Sequence, residues 1–224
     1  MIVWEYKKPA YLQSDLLLAD KLVNYSNNKN TVIAAIPRGG VPVGYQICKK
    51  LNLPLEIVLS KKIGHPFNKE YAIGAVTLDS YISSEAVPGI SNLYIEKEIK
   101  NIRGILKQRQ QLFYGTKKPI NFKNKTVIIV DDGVATGNTL IASIELIKLA
   151  APLKIIVALP VAPSSALKKI KALSAVDVTI CLLEPRDFHA VGQFFEVFTQ
   201  VNDTQVIDLL KKANANLKID ELHF

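Results

Sequence analysis

Five apolar, β-branched segments recur along the chain, with helical patterns between most of them. The predicted strands are Thr31–Ile36, Leu55–Ser60, Thr126–Val130, Lys154–Val161 and Asp177–Leu183. Their apolar residues continue without alternation, which is typical of strands covered on both faces. The predicted helices, with apolar residues three and four apart, are Val41–Leu51, Leu140–Leu149 and Ser164–Leu173. This series of βαβ units predicts an α/β fold, a doubly wound parallel sheet with helices on both faces.

Segments outside this series add a helix at each end and a long insertion between the second and third strands. The terminal helices are predicted over Ser14–Asn28, with Ser14 as N-cap, and over about Thr204–Ala213. The insertion contains a predicted strand at Ala72–Asp79, a turn at Pro88-Gly89 and a helix from about Asn92 to Tyr114.

The composition indicates a folded protein of one large domain, or of one domain with a small appendage. The 224 residues are 49% hydrophobic and 21% charged, which allows a sizeable core and argues against disorder. No apolar run approaches the ~18 residues of a membrane-spanning helix. Residues 1–9 lack the basic-then-apolar pattern of a secretion leader, so we expect a cytoplasmic protein with no membrane partner.

The charge favours small anionic ligands over nucleic acid. The net charge is +8, yet only four basic residues are arginine, namely Arg38, Arg103, Arg109 and Arg186. Arginine is the side chain that reads bases and clamps phosphates, so its scarcity disfavours a nucleic-acid partner. The alternative to a field that attracts anions is a lysine-rich, solvated surface. Two cysteines and three scattered histidines predict neither a disulfide framework nor a zinc centre.

The segment Val127–Thr139, VIIVDDGVATGNT, is the most specific feature of the sequence. A buried strand ends in two carboxylates, Asp131 and Asp132, and a loop of small and hydroxyl residues leads into a helix. Glycines at 133 and 137 let a ligand approach the backbone, and the free N–H groups of a helix N-terminus favour a phosphate. Two carboxylates beside such a site suit a sugar diol. The loop has neither the Walker A nor the G-x-G-x-x-G pattern.

This segment resembles the phosphoribosyl pyrophosphate (PRPP) motif of type I phosphoribosyltransferases. The resemblance implies that Asp131 and Asp132 are catalytic residues that hold the ribose 2′- and 3′-hydroxyls. The residues that it assigns to the 5-phosphate are Val134, Ala135, Thr136, Gly137, Asn138 and Thr139. Because adjacent residues of a strand point to opposite faces, both carboxylates reach the sugar only if the chain already turns there.

A second glycine-rich loop, Ile36–Gly44 (IPRGGVPVG), follows the first strand and opens a helix, with Pro42 suited to the first helical turn. It resembles the pyrophosphate-binding loop of the same enzymes. The resemblance implies that Arg38 and the amides of Gly39 and Gly40 bind the diphosphate, often across a strained or cis peptide. The alternative is a glycine-rich turn with a surface arginine. Ligands of such sheets bind at the carboxyl ends of strands, so we expect the two loops to form one site.

The segment Ser60–Ala75 resembles part of a less-studied phosphoribosyltransferase-like family, found stand-alone or fused to other enzyme domains. The likeness continues at residues 160–163 and 185–200 and so covers most of the chain. It implies that Lys61 and Lys62 lie near the pyrophosphate, with Lys62 also catalytic, and that a lid which excludes water follows them. The alternative for both lysines is a solvated strand end. We expect one phosphoribosyltransferase-like domain over residues 1–224, with a lid insertion at about 61–118.

The aromatic segment at about 184–200 falls where type I enzymes carry the C-terminal hood that selects the nucleobase. Arg186 could meet an acidic substituent of the base, and Phe188 could stack on its ring. A cluster of four phenylalanines is also typical of packing. The segment matches none of the purine-, orotate- or uracil-selective patterns, so the base stays open.

The resemblance implies a pentosyltransferase of nucleotide metabolism. The expected reaction is Mg²⁺-dependent transfer of phosphoribosyl from PRPP to a nitrogenous base or similar acceptor, with release of pyrophosphate. No residue is predicted as a metal ligand, because the diphosphate, the ribose hydroxyls and waters would hold the Mg²⁺. The alternatives are a regulatory protein that senses PRPP or a nucleotide without turnover, and cleavage of a nucleotide glycosidic bond. Family precedent suggests a homodimer.

Overall fold

The protein alternates helices and strands along its chain. The computed structural model describes residues 14–69, 71–83, 89–196 and 198–215. The helices are α1 (Ser14–Lys21), α2 (Gly40–Leu51), α3 (Asn92–Tyr114), α4 (Asn138–Lys148), α5 (Ser164–Lys171) and α6 (Asp203–Asn214). The strands are β1 (Thr31–Ala35), β2 (Leu55–Ile57), β3 (Lys61–Gly64), β4 (Ala72–Val76), β5 (Tyr81–Ser83), β6 (Thr126–Val130), β7 (Lys154–Val161) and β8 (Val178–Leu183). Short 3₁₀ helices span Val23–Tyr25 and Val191–Phe194. Within the described ranges, no helix is long and apolar enough to cross a membrane.

Five strands form the central sheet, which is parallel throughout and has the order β2-β1-β6-β7-β8. Successive side chains on β1 serve opposite faces of this sheet. Ile33 and Ala35 pack in one core with α1, α2 and α6, whereas Val32 and Ala34 pack in a second core with α4 and α5. A core on each face explains the continuous apolar runs, and the predicted doubly wound α/β sheet is confirmed.

The insertion between β2 and β6 has a hydrophobic core of its own. Strands β3, β4 and β5 form an antiparallel sheet in that order. The buried residues that join this sheet to α3 are Ile63, Ile73, Val76, Ile99, Ile102 and Leu106. The last three are spaced by three and four residues, so they form one apolar stripe on α3. Closure of this insertion over a ligand remains a prediction.

Several predicted boundaries were wrong because the chain turns before the apolar run ends. The strand predicted over Leu55–Ser60 ends at Ile57, and the Ser60 N–H donates to the carbonyl of Val58 at 3.1 Å. The strand predicted over Ala72–Asp79 ends at Val76, and the Thr77 N–H then donates to the carbonyl of Ser80 at 2.9 Å.

The ends of the insertion and of the opening helix also differ from expectation. Strands β3 and β5 were not predicted, because they are short and lack an apolar run. The opening helix ends at Lys21, and Asn27, with φ of 57°, reverses the chain before β1. The side chain of Ser14 and residue Pro88 lie outside the described residues, so the predicted N-cap and turn stay predictions.

One carboxyl group is buried in the edge strand β2. Glu56 is 2% exposed. Its carboxyl oxygens accept hydrogen bonds from the N–H of Ile57 at 2.7 Å and the N–H of Ile120 at 2.5 Å. Glu56 therefore ties the segment between α3 and β6 to the edge of the sheet. Burial raises the pKa of Glu56 to about 8, although these two backbone hydrogen bonds act in the opposite direction.

Candidate active site

The two glycine-rich loops leave neighbouring strands at the same edge of the sheet. Strands β1 and β6 pair in parallel, with Ala35 opposite Val130. Immediately beyond β1, the N–H of Ile36 donates to the carbonyl of Val130 at 2.9 Å. The loop of Arg38 and the loop of Asp131 and Asp132 therefore begin side by side, as expected for a site at the carboxyl ends of parallel strands.

Gly39 and Gly40 lie directly against the two aspartates. A Cβ on residue 39 would overlap the carboxylate of Asp132. A Cβ on residue 40 would lie 2.7 Å from the carbonyl oxygen of Val130 and 2.9 Å from Cα of Asp131. At residue 40 a side chain would collide with the backbone of the other loop, whereas at residue 39 it would take the space of the Asp132 carboxylate. The expectation that the two loops meet is confirmed.

Both carboxylates face this loop, although their residues are adjacent. Strand β6 ends at Val130, and the carboxylate Oδ1 of Asp131 accepts the backbone N–H of Asp132 at 2.9 Å. The chain bends at Asp132, so it has left the extended conformation that would send the two side chains to opposite faces.

Burial dominates the electrostatics of this pair. It raises the pKa of Asp131 well above its ordinary value, and the negative charge of Asp132 adds to the effect. Burial also raises the pKa of Asp132 to about 6, although hydrogen bonds from Asp131 and the backbone oppose the rise. Two carboxyl groups that resist ionisation without a partner are suited to a ligand that brings hydroxyl donors or positive charge.

The residues assigned to the 5-phosphate form the turn before α4 and its first residues. Gly137, with φ of 79°, is the N-cap of this helix and offers no side chain to the amides that follow it. The hydroxyl-bearing residues Thr136 and Thr139 are exposed, whereas Val134 is buried and its N–H donates to the carbonyl of Val161 at 3.2 Å. Ala135 and Asn138 are exposed on the same turn. An anion at this turn would meet backbone N–H groups, hydroxyls and the positive end of the helix dipole.

Arg38 lies at the tip of the first loop, next to a residue that the sequence analysis did not single out. The Pro37–Arg38 peptide bond is cis. The guanidinium Nη1 of Arg38 is 3.7 Å from Oδ1 of Asp203, the first residue of α6. Spacing alone offers no signal for this contact, because it depends on how α6 packs against α2.

The lysines assigned to the pyrophosphate begin β3, just after the carboxyl end of β2. Lys61 is exposed and Lys62 is half-buried. The preceding residue, Ser60, has its hydroxyl 2.9 Å from the hydroxyl of Ser143, a buried residue of α4. This contact holds the start of β3 against the helix whose N-terminus carries the phosphate turn. The roles of Lys61 and Lys62 stay predictions.

The segment predicted as the hood lies next to the aspartate loop. A Cβ on Gly133 would lie 2.8 Å from Cγ1 of Val191, in the 3₁₀ helix of the hood. Phe188 is half-buried and stacks on Phe194, with ring centroids 5.5 Å apart. Arg186 is exposed. The packing of Val191 on Gly133 places the hood beside the carboxylates, and base binding by Arg186 and Phe188 stays a prediction.

Comparison with known proteins identifies the family. The model of the phosphoribosyl transferase domain matches residues 7–190. The chain belongs to this family. Proteins from two strains of Mycobacterium tuberculosis, CDC 1551 and H37Rv, whose names provisionally assign them as phosphoribosyl transferases, are each 31% identical over 201 residues. The match covers 88% of this chain but 45% of each relative, so the chain spans less than half of their length.

A solved structure supports the fold over nearly the whole chain. The crystal structure of TT1426 from Thermus thermophilus has 31% sequence identity and a TM-score of 0.80 to this protein. The match covers 89% of this chain and 95% of TT1426. The resemblance drawn from the sequence motifs is therefore confirmed at the level of family and fold.

Proposed function

We propose that this chain transfers the phosphoribosyl group of PRPP to a nitrogen of a base or similar acceptor, in a Mg²⁺-dependent reaction that releases pyrophosphate. The observation that carries the proposal is the contact of Gly39 and Gly40 with Asp132 and Asp131. It joins a candidate diphosphate loop to a candidate diol site and phosphate turn. PRPP carries a diphosphate, a diol and a 5-phosphate on one ribose, so a single molecule can occupy both loops.

Each loop would hold one part of PRPP. The turn at Thr136 and Thr139 would bind the 5-phosphate, and Asp131 and Asp132 would accept hydrogen bonds from the ribose hydroxyls. A sugar fixed at both ends presents its C1 atom in one orientation, which lowers the entropic cost of the reaction.

The reaction breaks the bond between C1 and the diphosphate oxygen and forms a bond between C1 and the acceptor nitrogen, which then loses its proton. Positive charge develops on the sugar, as in glycoside cleavage. Arg38 and the loop amides would offset the negative charge that the leaving pyrophosphate gains, while the two carboxylates would stabilise the cationic sugar. No covalent nucleophile is needed.

The residues at this site are compatible with Mg²⁺ that binds together with PRPP. In the part of the chain that the structure describes, no three His, Cys, Asp or Glu side chains come together as a metal site. Mg²⁺ keeps several waters and binds readily to phosphate oxygens, so the diphosphate and the ribose hydroxyls would supply most of its ligands. Asp131 and Asp132 would accept hydrogen bonds from the waters and hydroxyls. When bound, Mg²⁺ neutralises part of the charge on the leaving diphosphate.

The acceptor would enter beside the hood. The contact between Gly133 and Val191 supports this assignment, because it brings the hood to the loop that would hold the ribose. Arg186 and Phe188 are the candidate base contacts within it. The cytoplasmic location and the homodimer stay predictions.

Turnover of PRPP tests the proposal. The purified protein is incubated with PRPP, Mg²⁺ and a panel of bases, and both pyrophosphate and new nucleotide are measured. We expect release of pyrophosphate that depends on one class of acceptor. Binding of PRPP without turnover for any acceptor would instead favour a regulatory sensor. Breakdown of a nucleotide without PRPP would favour glycosidic-bond cleavage.

Ligand-induced stabilisation gives a second readout. A ligand that binds only the native state raises the melting temperature by mass action. PRPP with Mg²⁺ should raise it more than ribose 5-phosphate does, because ribose 5-phosphate leaves the loop of Arg38 empty. Equal shifts from both ligands would contradict the assignment of two loops to one ligand.

A further inference from the structure

The C-terminal helix brings a carboxylate to the candidate diphosphate loop. Asp203 is the first residue of α6, and its Oδ1 is 3.7 Å from Nη1 of Arg38. The two side chains are 45% and 40% exposed, respectively. The family model matches residues 7–190, and α6 lies outside that match.

Local structure fixes the position of Asp203. Asn202 caps α6 by accepting the N–H of Gln205 at 2.9 Å, and the Gln205 side chain accepts the N–H of Asn202 at 2.9 Å. This reciprocal capping box sets where the helix begins. Val206 and Leu210 then anchor the helix in the same core as α2. The capping box and the packing of α6 in the same core as α2 therefore fix the position of the Asp203 carboxylate.

The contact is too weak to serve stability. An ion pair between half-exposed groups contributes little, because water screens the charges and both side chains lose freedom. A diphosphate carries several negative charges and can accept two parallel hydrogen bonds from one guanidinium, so it binds Arg38 more strongly than a single carboxylate does. A diphosphate at this loop would therefore displace Asp203.

We propose that Asp203 sets the affinity of the diphosphate site by competing for Arg38. It holds the guanidinium when the site is empty, releases it to the diphosphate of an arriving ligand, and takes it back as pyrophosphate leaves. The proposal rests on the function proposed above for Arg38. Its consequence is that the enzyme binds its charged product less tightly and releases it faster.

The test is the affinity of pyrophosphate for Asp203→Asn, measured by calorimetric titration. We expect pyrophosphate to bind about two- to fivefold more tightly than to wild type, the range set by a weak surface ion pair. Ribose 5-phosphate should bind equally to both proteins, since it does not use Arg38. Asp203→Glu keeps the negative charge and should retain wild-type affinity.

Two further variants separate competition from a general change in charge. Asp208→Asn removes one charge from the same helix, where Asp208 pairs with Lys212 at 2.7 Å, and it should leave pyrophosphate affinity unchanged. In the Arg38→Ala background, Asp203→Asn should have no effect.

Several results would overturn the proposal. Weaker pyrophosphate binding by Asp203→Asn would mean that Asp203 positions Arg38 and does not compete for it. An equal gain from Asp208→Asn, or a gain that persists without Arg38, would mean that net charge is the cause. If wild type binds pyrophosphate through Arg38 and Asp203→Asn matches it, only this inference fails. If wild type binds neither PRPP nor pyrophosphate, the proposed function fails with it.

Discussion

Gly39 lies so close to Asp132 that the space for a side chain on residue 39 is filled by the Asp132 carboxylate. The two residues belong to loops far apart in the sequence, and each loop alone resembles a different half of one binding site. Because of this contact, the Asp132 carboxylate can keep its position only if residue 39 has no side chain.

Gly39→Ala should weaken PRPP binding without unfolding the protein. The added methyl would push aside the end of the Asp132 side chain, which can rotate, so the backbone need not move. A charged hydrogen bond to the ribose contributes about 1.5–3 kcal/mol, so its loss should lower the affinity for PRPP by at least about tenfold. Calorimetric titration with PRPP and Mg²⁺ measures it. Unchanged affinity would mean that Asp132 does not hold the sugar.

Two other glycines serve as controls for this variant. Gly104 is exposed on α3, and a Cβ there would meet nothing within 4 Å. Gly104→Ala should leave PRPP affinity unchanged and stabilise the helix by up to about 1 kcal/mol. Gly40→Ala should lower the melting temperature, because its Cβ would meet the Val130 carbonyl oxygen and the Asp131 backbone.

The double variant Asp131→Asn/Asp132→Asn should separate binding from stability. We expect at least about a tenfold loss of PRPP affinity, because an amide replaces each charged acceptor. Inorganic phosphate binding should persist, since the turn at Thr136 and Thr139 is retained. A variant that unfolds would show that the pair is structural.

The pH dependence of unliganded stability should change in the same variant. The pKa of both aspartates is raised in the folded protein. The stability that they contribute is therefore fully present below the unfolded pKa of about 3.9 and is lost as the pH rises through the folded pKa. For Asp132 that value is about 6. Wild type should therefore lose stability from pH 4 to above pH 6, and the double variant should lose less. Parallel curves in denaturant titrations would contradict the raised pKa values.

Glu56→Gln should remove a second pH-dependent loss of stability. Burial raises the folded pKa of Glu56 to about 8, against about 4.3 for an unfolded chain, so stability should fall between these values as the pH rises. The glutamine variant should be less stable at pH 5, because one N–H loses its acceptor, but its free energy of unfolding should change less toward pH 9.

The control for Glu56 is Glu96→Gln on the exposed surface of α3. The free energy of unfolding of this variant should depend on pH as that of the wild type does. If Glu56→Gln also followed the wild-type slope, Glu56 would be ionised in the native protein at all these pH values.

Arg38→Ala should weaken pyrophosphate more than ribose 5-phosphate. A charged hydrogen bond contributes about 1.5–3 kcal/mol, roughly ten- to more than a hundredfold in affinity. The guanidinium is half-exposed, so its loss should barely change the melting temperature. Equal weakening of both ligands would mean that Arg38 supports the whole site.

Much of the fold could be predicted because its signals are local. The predicted bounds of α3 and β6 agree with the structure, since Lys and Glu at solvent-facing helical spacing and an unbroken apolar run each reflect the immediate surroundings of one element. The predictions failed at β2, whose apolar run extends past Ile57 into a turn, and at β3 and β5. Those two short strands exist because they pair with β4, which is a contact between segments.

The residues of the candidate site also fall into two groups: those marked by local sequence and those brought in by contacts between distant segments. Arg38, Asp131 and the residues of the phosphate turn were predicted from two glycine-rich loops that follow strands and from the resemblance of these loops to the motifs of type I phosphoribosyltransferases. Asp203 and Ser143 were missed. Asp203 reaches Arg38 from a distant part of the chain, and the hydroxyl of Ser143 meets that of Ser60 only because α4 packs against the start of β3.

The sequence by itself determined the layered α/β architecture and the two loops where chemistry is concentrated. Hydrophobic runs select the elements that must be buried, and glycine, proline and polar residues mark where the chain must turn. Only the tertiary structure decided that Gly39 meets Asp132, that α6 brings Asp203 to Arg38, and that the hood packs on Gly133. These contacts depend on strand order and helix packing, because residues distant in the chain meet only where the buried faces of their elements fit together.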